Sequence, residues 1–266
     1  MSTLSINPTP APARRGPGRV ADDRRPPLAR LTAVELRKMV NTRSGFWVLI
    51  TVAVMTLLVG LISVTNHGGR GSTYTRVFHD ASLPSAYLLP IVGILLICAE
   101  WTQRTTLTTF TLVPVRRRAI FAKVIASLLV SAAALIVSLA VSMLLAAAFG
   151  HVPSGPGSMP IAVIAQGWLY LSAGMLMGLA FGAAFLTSAP AIVAFLLLPT
   201  IWDAVVGRVG SLADIAAWLD SAHTLAPLTL QPLSALEWEH VAATLALWIG
   251  VPLLAGLRRI RGGDID

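Results

Sequence analysis

Two lysines, Lys38 and Lys123, are the residues from which a nucleotide-binding site would have to be built. A phosphate loop places its lysine after a glycine and before a serine or threonine, so that backbone amides cradle the phosphates. Lys38 lies in Arg-Lys-Met and Lys123 in Ala-Lys-Val. Neither fits, so the sequence predicts that this chain binds no cofactor and that any ATP-driven role requires a partner.

Other catalytic groups are sparse. The histidines form no His-Glu-x-x-His metal pair, and no Gly-x-Ser-x-Gly turn is present for a serine nucleophile. The sequence therefore predicts no catalytic residue and no metal site. The histidines, which lie in or beside predicted external loops, are interpreted as loop residues: His67, His79, His151, His223 and His240. The single cysteine, Cys98, is interpreted as a packing residue inside a span.

Any functional residues that remain are positioned by long apolar segments of the chain. Of the 266 residues, 55% are hydrophobic and 12% are charged, which is too little polar surface for a water-soluble globule. Because backbone groups in lipid need internal partners, long runs without alternating polarity favour helices over a barrel. The sequence predicts an all-α polytopic membrane protein with about six transmembrane helices. The segments are 46–65, 83–99, 122–149, 160–186, 190–207 and 240–257.

The basic residues follow this topology. With both termini in the cytoplasm, seventeen of the 20 lysines and arginines lie on the cytoplasmic side, and the external ones are Arg70, Arg76 and Arg208. Such a bias is the positive-inside rule, and it predicts a multi-pass protein of the cell (plasma) membrane. Membrane insertion and anionic lipid also account for the net charge of +8, so nucleic acid is not expected as a partner.

The predicted organisation is a six-span domain at 46–257 between two cytoplasmic tails. The first tail, 1–27, is proline-rich and disordered, and an amphipathic helix at 28–45 follows it. Within the domain lie a cytoplasmic loop at 100–118 and an external loop at 208–238, and the second tail is 258–266. In the fourth span, glycines at four-residue spacing indicate close helix packing, either within the chain or with another subunit: Gly174, Gly178 and Gly182.

The loop at 100–118 carries an ordered pattern. It runs from a glutamate through a threonine and an apolar stretch to Pro-x-Arg, and a lysine follows as the third span begins. The matching residues are Glu100, Thr105 or Thr106, Leu112, Pro114, Arg116 and Lys123. In this order, and between the second and third spans, the pattern resembles the first cytoplasmic loop of ABC transporter permeases of the type-2 exporter class.

The segment before the first span extends this resemblance. It reads Leu31-Thr-Ala-Val-Glu35-Leu36-Arg37-Lys38 and looks like the amphipathic helix that these permeases carry there. At about 100° per residue, one half of this helix is apolar and the other basic, although Val34, Glu35 and Arg43 break the pattern. The favoured interpretation is a helix at the inner headgroups, and the alternative is a solvated basic stretch. The apolar half holds Leu28, Leu31, Leu36, Met39 and Val40; the polar half holds Arg30, Arg37, Lys38 and Asn41.

The resemblance implies that residues 100–118 dock onto a separate ATPase subunit, which would bind the ATP and magnesium. Leu107 and Phe110, three residues apart, would enter a groove, and basic residues would contact its edges: Arg104, Arg116, Arg117 and Arg118. It also implies a second permease subunit, either the same chain or a paralogue, and export of a substrate. The external loop at 208–238 looks similar to the re-entrant or interfacial external hairpin that precedes the last span in this family.

Two other functions remain open from the residues alone. An ion-coupled secondary transporter would place ionisable groups in mid-membrane, and the deep interior of the predicted spans carries no charge. A non-transporting membrane scaffold would be favoured only in the absence of an ATPase partner. The plain alternative for residues 100–118 is a positive-inside loop that binds no partner.

Overall fold

The computed structural model describes the backbone of residues 27–67, 74–102, 116–149, 159–206, 208 and 218–262. Within these ranges most of the chain is helical and no strand occurs. The helices are α1 (Leu28–Asn41), α2 (Arg43–His67), α3 (Tyr74–Thr102), α4 (Arg116–Ala148), α5 (Ile161–Phe185), α6 (Ser188–Val206), α7 (Ser221–Leu225), α8 (Ala235–Leu245) and α9 (Val251–Gly262). A 3₁₀ turn (Ala226–Thr229) follows α7, and a π turn (Ala246–Gly250) joins α8 to α9.

The predicted class, an all-α polytopic membrane protein, is confirmed. Five helical stretches in the described part of the chain are long and apolar enough to cross a membrane: Arg43–Asn66, Tyr74–Ala99, Arg118–Ala148, Ile161–Phe185 and Ala235–Arg259. The predicted span at 190–207 corresponds to α6, whose apolar stretch, Ser188–Trp202, is shorter than the others. The last long stretch combines α8, the π turn and α9.

Basic residues of several helices meet at one end of the bundle, which we call the basic end. Arg43 begins α2, Arg118 and Lys123 lie in the first turns of α4, and Arg259 lies near the end of α9. Arg259 Nη1 donates a hydrogen bond to the Ala184 carbonyl at the end of α5 (3.2 Å). That this end faces the cytoplasm remains a prediction from the positive-inside rule.

Helices α3 and α5 form the centre of the bundle. A Cβ atom at Gly178 of α5 would overlap the carbonyl oxygen of Pro90 in α3, so the two backbones touch and only glycine fits. Gly174 and Gly182, one turn to either side, also face α3. Of the two interpretations of this glycine stripe, the structure therefore uses it for packing within the chain.

Helix α3 begins at Tyr74, well before the predicted start of the second span at 83. The polar residues in its first turns suggested a loop, but two of them have partners on other helices. Ser63 Oγ donates a hydrogen bond to Asp80 Oδ2 (2.6 Å), and His79 Nδ1 lies 2.5 Å from Thr229 Oγ1. Because these side chains find hydrogen-bond partners within the bundle, they can lie in a helix and need not be in a solvent-exposed loop. The interpretation of His79 as a loop residue was wrong, and it was also wrong for His67, His223 and His240, which lie in α2, α7 and α8. His151 lies outside the described residues.

Part of the predicted external loop at 208–238 folds back into the bundle. Leu219 is half-buried, and its carbonyl accepts a hydrogen bond from Trp248 Nε1 (2.9 Å). The Trp248 ring stacks on Phe181, close to the basic end of α5. The chain then returns to the opposite end, where Gln231 O lies 2.9 Å from the Gln166 side-chain nitrogen, with the amide oriented to satisfy both of its ends. We call residues 218–231 the re-entrant segment.

The tip of this segment holds a buried acid. Asp220 is 4% exposed and caps α7, accepting hydrogen bonds from the amides of Ala222 (2.8 Å) and His223 (3.4 Å). Its second oxygen lies 2.8 Å from His223 Nδ1, in a side chain that is 82% exposed. Asp220 and Asp80 of α3 are therefore ionisable groups within the bundle. Neither residue lies in a predicted span, so the search of the spans for charges did not include them.

The last span also starts earlier than predicted, at Ala235 instead of 240. A capping box fixes this start, because Ser234 Oγ accepts from the Glu237 amide and the Glu237 carboxylate accepts from the Ser234 amide. The π turn lies just before Pro252, which has no amide hydrogen for a regular helical bond. At the other end, α9 continues to Gly262, so the predicted tail at 258–266 begins inside a helix.

Candidate coupling surface at the basic end

Helix α1 lies across the basic end, and one of its faces packs against the other helices. Thr32, Glu35 and Met39 of this helix are buried, whereas Val34 and Val40 are about half exposed. Met39 joins an apolar cluster with residues of α2, α3, α4 and α5: Val52, Leu89, Val92, Leu96, Ala126, Met175 and Leu179. The packed face is therefore rotated from the predicted apolar half, because a glutamate lies on it and Val40 does not.

Glu35 connects α1 to α4. Its Oε2 lies 2.7 Å from Lys123 Nζ, and its Oε1 lies 2.8 Å from Lys38 Nζ on its own helix. Glu35 and Lys123 are 7% and 5% exposed. Burial removes the water that would screen the two charges, so each depends on the other for its solvation. The sequence singled out both residues but did not predict that they pair.

A tight corner joins α1 to α2 through Thr42 alone. Its amide donates to the Lys38 carbonyl (3.3 Å) and ends α1, and its Oγ1 accepts from the Gly45 amide (3.3 Å) in the first turn of α2. A Cβ atom at Gly45 would overlap the Met39 carbonyl oxygen, so this close approach of the two helices requires glycine there. The corner therefore holds the end of α1 in backbone contact with the first turn of α2.

The two ends of the predicted coupling loop lie on helices that flank this corner. Glu100 belongs to the last turn of α3, and Arg116, Arg117 and Arg118 form the first turn of α4. Lys123 is the residue that pairs with Glu35. The predicted docking residues Arg104, Thr105, Leu107, Phe110 and Pro114 lie outside the described residues, as do residues 1–26 of the predicted tail.

The remaining predicted residues of α1 lie around the Glu35 pair. Leu31 and Leu36 are half-buried, Arg37 is exposed, and Lys38 is half-buried beside Glu35. In the described part of the chain, no three His, Cys, Asp or Glu side chains lie close enough together to hold a metal ion. At the basic end, α1 contacts α4 through a buried ion pair and α2 through a tight corner.

The region that contains these contacts also has a match among known protein families. Residues 32–201 match the model of a family described as ABC-2 family transporter protein. The match begins in α1, ends in α6 and includes Glu35, Lys123 and the whole of the loop at 100–118. No curated protein matches the chain.

Proposed function

The chain belongs to the ABC-2 family of transporter proteins, and on this premise we propose that it is the permease subunit of an ABC exporter. In this proposal the basic end faces the cytoplasm, the protein lies in the plasma membrane, and it pairs with a second permease subunit. Permeases of this family generally work with an ATPase partner. A separate ATPase subunit binds ATP and magnesium, and hydrolysis of this ATP drives the substrate out of the cytoplasm.

The buried pair of Glu35 and Lys123 is the observation that supports a mechanical role most directly. The first residues of α4, 116–118, are also the last residues of the loop at 100–118, so an ATPase docked on that loop would pull on α4. The ion pair transmits this displacement to α1 (2.7 Å between Lys123 Nζ and Glu35 Oε2), and the corner at Thr42 transmits it to α2. Packed helices joined in this way shift as rigid bodies.

Docking is tested by replacing both Leu107 and Phe110 with Asp. Two apolar anchors then become charges that a groove cannot solvate, so co-purification with the ATPase and ATP-dependent transport should both be lost. The matched control replaces Thr108 and Thr111, also three residues apart, with Asp, and should retain both. A Leu107/Phe110 variant that still binds the ATPase and transports would remove the coupling role from this loop.

Ion coupling is a second candidate, and Asp220 is the observation that favours it. A carboxylate that is 4% exposed in a re-entrant segment is the kind of group that carries ions or protons in transporters. The test is transport in vesicles with an imposed pH gradient and no ATP. Uptake that requires the gradient and disappears in Asp220→Asn would favour this function, whereas transport that requires ATP alone would exclude it.

A further inference from the structure

A cavity of about 820 Å³ opens at the basic end, between the corner of α1 and α2 and the last turns of α3. Its volume is within the range of about 300–1,000 Å³ that is usual for sites of small organic ligands. It borders the corner at Thr42 and Gly45 described above. Residues that define it are Lys38, Arg43, Trp47, Val92, Leu96 and Ala99.

The cavity has a polar side and an apolar side. Lys38 and Arg43 line the polar side, together with Thr42 and Ser44 of the same corner. The lining residues from α3 are apolar side chains and one thiol: Val92, Leu95, Leu96, Cys98 and Ala99. Glu35 accepts from Lys38, whereas the guanidinium of Arg43 is exposed and offers up to five donors in a planar fork.

The position of the cavity along the bundle matches this division. Arg43 and Ala99 are the terminal residues of two membrane-spanning stretches, and Ser188, which also lines the cavity, begins the apolar helix α6. The basic side chains therefore lie at the level of the lipid headgroups, and the apolar wall extends from them into the hydrocarbon layer.

We propose that this cavity binds an anionic amphiphile, with a phosphate or similar head on Arg43 and Lys38 and an apolar chain along α3. Such a molecule has two sources, an anionic phospholipid of the surrounding leaflet or an amphiphile that reaches the site from the aqueous phase as cargo. Binding itself does not depend on the proposed function. Only the second source, as cargo, rests on the proposed export.

The proposal is tested on the full-length chain in phosphatidylcholine nanodiscs, without ATPase. Two photoreactive probes are compared, a phosphatidylglycerol with a diazirine in one acyl chain and a water-soluble alkyl phosphate with the same group. Crosslinks are mapped by mass spectrometry, and we expect them on the peptide that contains residues 92–99. Labelling by phosphatidylglycerol alone supports a lipid source, and labelling by the alkyl phosphate, alone or as well, supports an aqueous source. Absence of labelling by both probes overturns the proposal, as does equal labelling by a phosphatidylcholine analogue.

Charge variants separate this site from general attraction to a basic surface. Arg43→Gln should reduce labelling about fivefold, the effect of one cation near an anionic headgroup. The control replaces Arg30 and Arg37, which are exposed on α1 and do not line the cavity, with Gln. Because solvent and salt screen exposed charges that do not contact the ligand, labelling of this control should stay within about twofold of the native chain. An equal loss in the control would overturn the proposal, because any basic helix would then suffice.

A cavity-filling variant provides a second, independent measurement. Ala99→Trp places an indole in the apolar half and retains both cations, so labelling of the same peptide should fall by about tenfold if the chain of the ligand occupies that space. Leu197→Trp, on an exposed position of α6 that does not line the cavity, is the control. Thermal unfolding of each purified variant establishes that it is folded, and undiminished labelling of a folded Ala99→Trp variant overturns the proposal.

Discussion

Lys123 Nζ lies 2.7 Å from Glu35 Oε2, although the two residues are 88 positions apart and both are buried. The contact joins the helix before the first span to the start of the third predicted span. Glu35 is also one of the three residues that broke the predicted amphipathic pattern of that helix. A charge that looks misplaced on an apolar face is thus explained by a partner elsewhere in the chain.

Removal of one member of this pair should cost more than removal of both. Glu35→Ala leaves the buried ammonium of Lys123 without this carboxylate, and should lower the free energy of unfolding in detergent by about 3–5 kcal/mol. The double variant with Lys123→Met should lose less than Glu35→Ala alone. Lys38→Met is the comparison, because its side chain is 37% exposed and its bond to Glu35 should contribute at most about 1 kcal/mol. Strict additivity of the two single changes would contradict a buried pair.

A methyl group at Gly178 should separate α3 from α5. Gly178→Ala places a Cβ atom against the Pro90 carbonyl and should destabilise the protein by about 1–3 kcal/mol, measured by unfolding in detergent. Gly250→Ala is the matched control, because nothing lies within 4 Å of the Cβ position there. If both substitutions had the same effect, the α3–α5 contact would not be the reason for the glycine.

Topology is tested by cysteine labelling in a Cys98→Ser background. We expect labelling at residue 110 and at both termini from the cytoplasm, and at residue 155 from outside. Residues 75 and 220 would be natural external probes from the sequence, but Thr75 and Asp220 are buried, so their reaction should be slow from either side. Leu230, which is 41% exposed at the end of the re-entrant segment, should react from outside. Labelling of Leu230→Cys only from the cytoplasm would reverse the assignment.

The indole of Trp248 should hold the re-entrant segment in place. Trp248→Phe removes the hydrogen bond to the Leu219 carbonyl and keeps the ring, at a cost of about 1 kcal/mol. A cysteine at Ser221, in the Cys98→Ser background, should then react faster with a maleimide. Trp168→Phe removes a comparable bond, to the Leu128 carbonyl (3.2 Å), on an exposed side chain and should leave this rate unchanged.

Isolated from any partner, the chain should neither bind nor hydrolyse ATP, because neither of its lysines lies in a phosphate loop. Purified protein is assayed for nucleotide binding and for vanadate-sensitive phosphate release. Turnover that follows the protein through purification, and that persists in a preparation from a host without the ATPase, would reveal a nucleotide site of a different kind.

The sequence predicted the class of fold because the length and polarity of apolar runs are local properties. It missed the early start of α3, because the partners of His79 and Asp80 are 150 and 17 residues away in the chain. It identified the re-entrant hairpin only by resemblance, since its buried bonds to Trp248 and Gln166 depend on the packed bundle. At the candidate site it singled out Glu35 and Lys123 separately, and only the three-dimensional arrangement brings them together.

The sequence separation of Glu35 and Lys123 also constrains the order of biosynthesis. At about 5–20 residues per second, the ribosome adds Lys123 roughly 4–18 s after Glu35. Helix α1 therefore leaves the ribosome with the carboxylate of Glu35 near Lys38 only, and cannot take its final place until α4 enters the membrane. During this interval α1 lies beside the nascent spans without its ion pair to α4. Insertion of the third span brings Lys123 to Glu35 and fixes α1 in its final position.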